Sequence, residues 1–255
     1  MRFIWAAGSH SGMRRPTNED SHSGRPDLGL FLVADGMGGH VAGEVASRVA
    51  VESIESFIEQ TRDVNEQSTW PFPFEPELSL DGNRIKAAFR LANRRIAAAM
   101  ANERELRGMA TTASAVLLGP RGCVVAHVGD SRVYVLRRGE LKRLTHDHSW
   151  VEEQVRAGTM DATAARQHPW RNVVTRALAG GEDPDVDIRQ VTFEAGDRVL
   201  LCSDGLFSVV SDEQIGRLLG LDIELAEVSQ KLIDAANEAG GPDNITTLLV
   251  QIDAA

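Results

Sequence analysis

Runs of apolar residues bounded by Gly, Asp or Pro recur along the chain and predict strands, the clearest over residues 28–34, 111–118, 123–128, 132–137, 198–202 and 245–252. Three other segments carry helical spacing instead. In 43–60, Val45, Val49, Ser53, Ile54, Phe57 and Ile58 share a face; in 83–102, Ile85, Phe89, Ala92, Ile96 and Met100 do so; in 223–239, Leu225, Val228, Leu232, Ile233 and Ala236 do so. The turn Gly129-Asp130-Ser131 lies between two of the strands and predicts that they are antiparallel neighbours, and Arg137-Arg138-Gly139-Glu140 reads as a further hairpin turn. The first two helices follow one another between the strand at 28–34 and those from 111 onward. That blocked order argues for an α+β fold rather than alternating βαβ units.

Two segments break the pattern. Residues 67–80 contain Trp70-Pro71-Phe72-Pro73-Phe74-Glu75-Pro76, whose prolines forbid regular structure, leaving a plain connector or an exposed aromatic docking loop. Residues 149–172 form a polar, helix-prone insert broken at Gly158 and holding His168-Pro169-Trp170. No linker divides the chain, so its 255 residues are expected to form one domain over 1–255, with that insert.

Charge and composition narrow the function. Lys and Arg number 27 against 37 Asp and Glu, a net charge of −10, and no basic stripe appears. That disfavours nucleic acid and anionic membrane surfaces as partners. The apolar runs fall far short of the roughly 20 residues of a membrane span. The five apolar residues after Arg2 are too few for a signal peptide, so a cytoplasmic location is expected. Cys123 and Cys202 each lie in an apolar run, which favours buried thiols over a disulfide, and two cysteines are too few for a thiolate zinc cluster.

The chemistry lies where strands end. The run 30–34 leads into Asp35-Gly36, 124–128 into Gly129-Asp130, and 199–203 into Asp204-Gly205; Asp243-Asn244 precedes the final strand, and Glu19-Asp20 stands ahead of the first. One Asp-Gly pair is an ordinary turn. Several acidic junctions on strands of one sheet system can converge on a rim, where carboxylates repel unless they share a cation, a proton or water. Oxygen-only ligands suit a hard divalent ion such as Mg²⁺ or Mn²⁺.

The segments 12–20 (Gly-Met-Arg-Arg-Pro-Thr-Asn-Glu-Asp) and 35–40 (Asp-Gly-Met-Gly-Gly-His) resemble the opening motifs of the metal-dependent protein phosphatases, the PPM or type 2C family. Gly129-Asp130-Ser131-Arg132, the 144–149 motif Leu-Thr-His-Asp-His-Ser, the segment 172–178, Ser203-Asp204-Gly205-Leu206 and Asp243-Asn244 follow in that family's order, in the manner of its compact bacterial members. The resemblance implies two antiparallel β-sheets packed face to face, helices on both outer faces, and a binuclear Mn²⁺/Mg²⁺ centre at one end of the sandwich. It implies hydrolysis of phosphoserine and phosphothreonine by metal-activated water, on phosphorylated proteins and in opposition to a Ser/Thr kinase.

Roles follow position by position. Asp35 matches the carboxylate that bridges both metals, and Gly36 a carbonyl ligand. Asp204 and Asp243 match ligands of the other metal, Glu19 a largely water-mediated ligand, and Asp20 the group that orients water. Arg15 matches the arginine that grips the substrate phosphate, a task suited to its planar fork. Asp130 matches a ligand of a third, weaker metal, or else is only the turn residue of a 124–137 hairpin. Residues 149–172 match a flap beside the cleft, or form a plain surface insert. Met37 stands where animal-type members place an acidic histidine, which leaves the leaving-group acid unassigned. His40 fits a packing or helix-start role, and His146 and His148 have no assigned chemistry. A non-catalytic phosphoprotein binder and a different two-metal hydrolase such as a nuclease are the rivals. The intact Asp35, Asp204 and Asp243 oppose the first, and the acidic charge opposes the second.

Overall fold

The computed structural model describes residues 2–38, 41–65, 68–119 and 122–253. In chain order the elements are β1 (Arg2–His10), β2 (Asp20–Arg25), β3 (Leu30–Met37), α1 (Val41–Gln60), α2 (Leu80–Asn102), β4 (Ala110–Thr111), β5 (Ala113–Gly119), β6 (Gly122–Val128), β7 (Arg132–Arg137), β8 (Glu140–Arg143), α3 (Trp150–Arg156), α4 (Ala162–Gln167), β9 (Asp187–Val191), β10 (Arg198–Cys202), α5 (Asp204–Phe207), α6 (Asp212–Leu219), α7 (Leu225–Glu238) and β11 (Ile245–Asp253). One sheet has the order β1-β11-β10-β7-β8 and the other β2-β3-β5-β6-β9, with the short β4 paired to β3. Neighbouring strands in both sheets are antiparallel.

Strand pleating explains both the continuous apolar runs and the layering. On β3, Phe31 and Val33 face the space between the sheets, where they meet Val199, Leu201, Leu248 and Val250 of the opposite sheet. Leu30, Leu32 and Ala34 face the other way, onto a core built with Ile54 and Ile58 of α1 and Ile85, Phe89 and Ile96 of α2. On β10, Leu200 and Cys202 turn outward to Ile215 and Leu219 of α6 and to Val228 and Leu232 of α7. A central strand buried on both faces needs no polar positions, so it reads as an unbroken run. The expected α+β sandwich, with helices on both outer faces, is the observed fold. Cys123 belongs to the inter-sheet layer and Cys202 to an outer one, and both are free buried thiols.

One expectation is corrected. Residues 124–137 are not a hairpin: β6 pairs with β5 and β9, whereas β7 pairs with β10 and β8 in the opposite sheet. Gly129-Asp130-Ser131 is a crossover between sheets, and Gly129 at φ +109° turns the chain across the gap. The turn at Arg138-Gly139 does close a hairpin, between β7 and β8.

The proline-rich stretch packs as a connector. Phe72 is buried beneath the Arg94 guanidinium, 4.3 Å from its ring centre, and the Glu75 carboxylate pairs with Lys86 and Arg90 of α2. Residue 67, where that stretch begins, and His40 lie outside the described residues. Among the described residues no helix is long and apolar enough to cross a membrane.

Candidate metal centre

Strand register brings the first carboxylates together. Asp20 on β2 stands directly opposite Asp35 on β3. The Asp35 backbone is fixed by Thr112, whose N–H donates to its carbonyl (2.9 Å) and whose Oγ1 accepts from its N–H (3.1 Å). The next residue must be glycine on packing grounds. A Cβ on Gly36 would collide with the carbonyls of Gly43 and Glu19, and a Cβ on Gly43 would collide with the Glu19 carboxylate. The start of α1 therefore packs directly on the end of β3, with Glu19 between them.

The remaining acids come from the other sheet. Asp204 is the first residue of α5, immediately after β10 and Ser203, and Asp243 lies two residues before β11. Asn244 anchors the loop that carries Arg15: its Nδ2 donates to the carbonyls of Ser11 (3.0 Å) and Thr17 (2.8 Å), and its Oδ1 accepts from the Glu19 N–H (2.8 Å). The Ser203 hydroxyl and the Thr246 hydroxyl both donate to Asp20 Oδ2 at 2.7 Å, tying β2 to the end of β10 and to β11.

Arg15, Glu19, Asp35, Gly36, Met37, Asp130, Asp204 and Asp243 all line one cleft of about 410 Å³, together with Thr112, Asn172 and Val174. Asp20 sits behind its wall. Every site residue expected from the sequence is thus gathered at one end of the sandwich, where the two sheets meet. Thr112, Ser203, Asn244 and Thr246 complete the support. Ser203 and Asn244 stood in recognised motifs without a role, and the hydroxyls of Thr112 and Thr246 carry no signal in a sequence, because their work depends on partners far along the chain.

The electrostatics ask for a cation. Burial, then repulsion from Asp20, Asp204, Asp130 and Asp243, raises the Asp35 carboxyl well above the usual range. Burial and the charges of Asp130, Asp243 and Asp20 do the same to Asp204, which is close enough to Asp35 to share a hydrogen bond. Burial lifts Asp20 to about 6, against the lowering effect of its two hydroxyl donors, and burial with the charge of Asp147 lifts Asp130 to about 7. Asp20 as a residue is partly exposed, but its Oδ1 is shut off from solvent and has no hydrogen-bond partner. Unpartnered buried carboxylate oxygen beside three further acids is a donor set for a hard divalent ion.

The cage is not preformed. Among the described residues no three acidic, His or Cys side chains already close to metal-holding geometry. Arg15 instead donates to Asp243 Oδ2 at 2.7 Å and neutralises it. The side chains at positions 146 and 148 stand apart from the cleft lining: His146 offers its carbonyl to His127 Nε2 (3.0 Å), and His148 holds Gly129.

The chain matches the family model described as protein phosphatase 2C over residues 9–249. The serine/threonine protein phosphatase PstP of Mycobacterium tuberculosis is 40% identical over 250 residues, covering 97% of this chain and 45% of that protein, so the chain spans less than half of that relative's length. The serine/threonine phosphatase stp of Listeria monocytogenes is 36% identical over 248 residues, covering 95% of this chain and 93% of that one. The crystal structure of the PstP catalytic domain in complex with two manganese ions superposes with a TM-score of 0.81 at 36% identity, covering 99% of both chains.

Proposed function

The chain belongs to the protein phosphatase 2C family, and from that premise we propose that it hydrolyses phosphoserine and phosphothreonine esters of proteins with the aid of divalent cations held by the acidic cleft. The observation that carries the proposal is the convergence of Glu19, Asp35, Asp130, Asp204 and Asp243 on one cleft that also holds Arg15. The manganese complex of the related PstP domain supports a two-cation site. Asp35, the Gly36 carbonyl, Glu19, Asp204 and Asp243 would hold the pair of ions, and Asp130 would hold a third, weaker one; either Mn²⁺ or Mg²⁺ would serve. One domain over residues 1–255 with a flap at 149–172, a cytoplasmic setting, and phosphoproteins and a cognate Ser/Thr kinase as partners complete the proposal.

When bound, a pair of divalent cations lowers the pKa of water and offsets the charge of the phosphoryl group. The chain's own groups do the rest. Arg15 leaves Asp243 to a cation and turns its planar guanidinium to the phosphate, holding two oxygens through the charge-rich transition state. The Asp20 carboxylate, fixed through Oδ2 by Ser203 and Thr246, has the role of orienting water for in-line attack on phosphorus. Met37 lines the cleft but holds no proton to give. The buried thiols take no part: burial pushes Cys123 and Cys202 up, away from the thiolate that a cysteine phosphatase needs.

A phosphopeptide panel assayed with Mn²⁺ and with EDTA tests the proposal. Metal-dependent release of phosphate from phosphoserine and phosphothreonine peptides is expected. Binding without turnover would make the chain a non-catalytic phosphoprotein binder, and cleavage of nucleic acid instead would make it a nuclease.

A further inference from the structure

On one side of the sandwich the sheets end in β8 and β9, and β9 pairs with β6 alone among the described strands. An antiparallel strand turns about half of its backbone N–H and C=O groups to each side. Among the described residues, none on the outer side of β9 bonds to another part of the backbone. Asp187, Arg189 and Gln190 of this strand are exposed. Two hollows run along its free edge. One, of about 580 Å³, lies by residues 186–189 and has Leu78, Lys86 and Ile188 in its lining. The other, of about 520 Å³, lies by residues 189–193 and is lined on its far side by Arg138, Glu140 and Lys142. Leu144 and Arg189 belong to both, so the two form one groove as long as the strand.

Charge sets this groove apart in a chain of net charge −10. Lys142 stands opposite Val135 of β7, and Arg189 opposite Val125 of β6. Both valines belong to the inter-sheet core, so the two cations enter the gap from opposite sheets. Their neighbours are neutralised: Arg137 pairs with Glu194 and Asp197, Arg138 with Glu194, and Glu140 stands across from Arg137. Lys142 and Arg189 have no ion-pair partner among the described residues, and Arg189 gives one N–H to the Leu144 carbonyl (3.1 Å). An open strand edge beside unpaired cations fits an extended, acidic peptide, whose backbone completes the edge and whose carboxylates meet Lys142 and Arg189.

The groove also points the right way. Asp187 lies opposite His127 and Val191 opposite Cys123, so β9 runs away from the end of the sandwich that holds the cleft. Arg189 is level with Val125, five residues before Asp130, or about 17 Å of extended chain.

We propose that the free edge of β9 is a docking site for phosphoprotein substrates, which add to it an extended segment rich in Asp and Glu lying several residues from the phosphorylated one. The inference rests on the phosphatase reading of the cleft. A lysine on an edge also guards against pairing with other copies, and the experiment separates a guard from a dock.

Two phosphothreonine peptides are compared in Mn²⁺. One carries an alternating Glu-Val tract joined to the phosphothreonine by about six Gly and Ser residues; in the other, Gln replaces each Glu of the tract. In the parent, KM for the acidic peptide should be about tenfold lower, with kcat unchanged. Lys142→Glu and Arg189→Glu should each remove that advantage, and Lys142→Arg should keep it. All three should turn over p-nitrophenyl phosphate, which has no tract to dock, at the parental rate. Two further acidic peptides are N-methylated, one at the Glu and one at the Val positions of the tract, which blocks one strand edge or the other at constant charge. At least one of them should lose the advantage. Anisotropy of a labelled acidic tract without phosphothreonine, measured in EDTA, should show binding to the parent and little to Lys142→Glu. Equal KM values for the acidic and Gln peptides, both hydrolysed, refute the docking site and leave the phosphatase reading intact. Tract binding in EDTA with no hydrolysis of any peptide does the reverse. An advantage that survives Lys142→Glu overturns the proposal, and with increased aggregation it would mark the lysine as a guard only. An advantage that both N-methylated peptides keep overturns the added strand. So does equal competition by a DNA oligonucleotide of the same charge, which would mark a general attraction for polyanions.

Discussion

Replacing Asp20 by Asn should change how stability depends on pH, because burial raises this carboxyl from 3.8 to about 6 in the folded chain. A raised folded value means that the folded state holds the proton more tightly. The associated stability is fully present below pH 3.8 and is lost as pH rises through about 6. A displacement of that size corresponds to roughly 3 kcal/mol, most of it lost between about pH 4 and 7. For a chain of this length that is roughly 6–12 °C in melting temperature. Asp27 and Glu75 act with the opposite sign, since hydrogen bonds from Arg25 and from Lys86 hold them low. The prediction therefore lies in a difference: melting curves of metal-free parent and Asp20→Asn, recorded at fixed ionic strength from pH 4 to 7. Relative to the variant, the parent should lose stability steadily as pH rises. Mn²⁺ competes with the proton for the same acids, so it should stabilise the parent more at pH 7 than at pH 5. A flat difference curve, or a Mn²⁺ effect independent of pH, would refute the claim that this acid cluster is held against its own charge.

Asp204→Asn or Asp243→Asn should nearly abolish phosphopeptide hydrolysis while circular dichroism stays unchanged; near-normal turnover at saturating Mn²⁺ would overturn their assignment as ligands. Arg15→Ala should lower kcat/KM at least about tenfold, and because it frees Asp243, Mn²⁺ affinity by calorimetry should hold steady or rise. Asp130→Ala should remove the weakest Mn²⁺ phase and lower turnover while the central pair still binds, and unchanged phases and turnover would leave Asp130 as a crossover residue only. Gly43→Ala should weaken Mn²⁺ binding by displacing the Glu19 carboxylate yet still fold, whereas Gly36→Ala, which meets backbone on both sides, should fail to fold; equal behaviour in a melting assay would contradict the close packing.

Central strands were legible because both of their faces are buried, as Leu30 to Ala34 show. The edge strands were not. β1 carries exposed Ile4 and Trp5, and β2 reads Asp-Ser-His-Ser-Gly-Arg, so their identity as strands comes from partners 235 or more residues away for β1 and from the carboxylate pairing with β3 for β2. The sequence 124–137 looks the same whether its strands pair or part. Only the long-range choice of β10 as the neighbour of β7 makes it a crossover. The acids of the cleft were visible as strand ends, and family resemblance supplied their roles. The hydroxyls that hold Asp20 were hidden, since Ser203 and Thr246 become its partners only when the sheets meet.

The pairing of β1 with β11, from Arg2 opposite Asp253 to His10 opposite Ile245, bears on biosynthesis. Translation delivers β1 more than two hundred residues ahead of β11, its neighbour in that sheet. At the usual rates of about 5–20 residues per second, the early strand waits ten seconds or longer for its partner. Through that interval Asn244 is not yet present to clasp the Arg15 loop, nor Asp243 to face a cation. The site is therefore incomplete until residues 243–253 have been made, and β11 is the strand that completes it. The same delay leaves an apolar strand edge open to chaperones or to other nascent copies, so slowing translation before residue 245 should raise aggregation more than slowing it after residue 253.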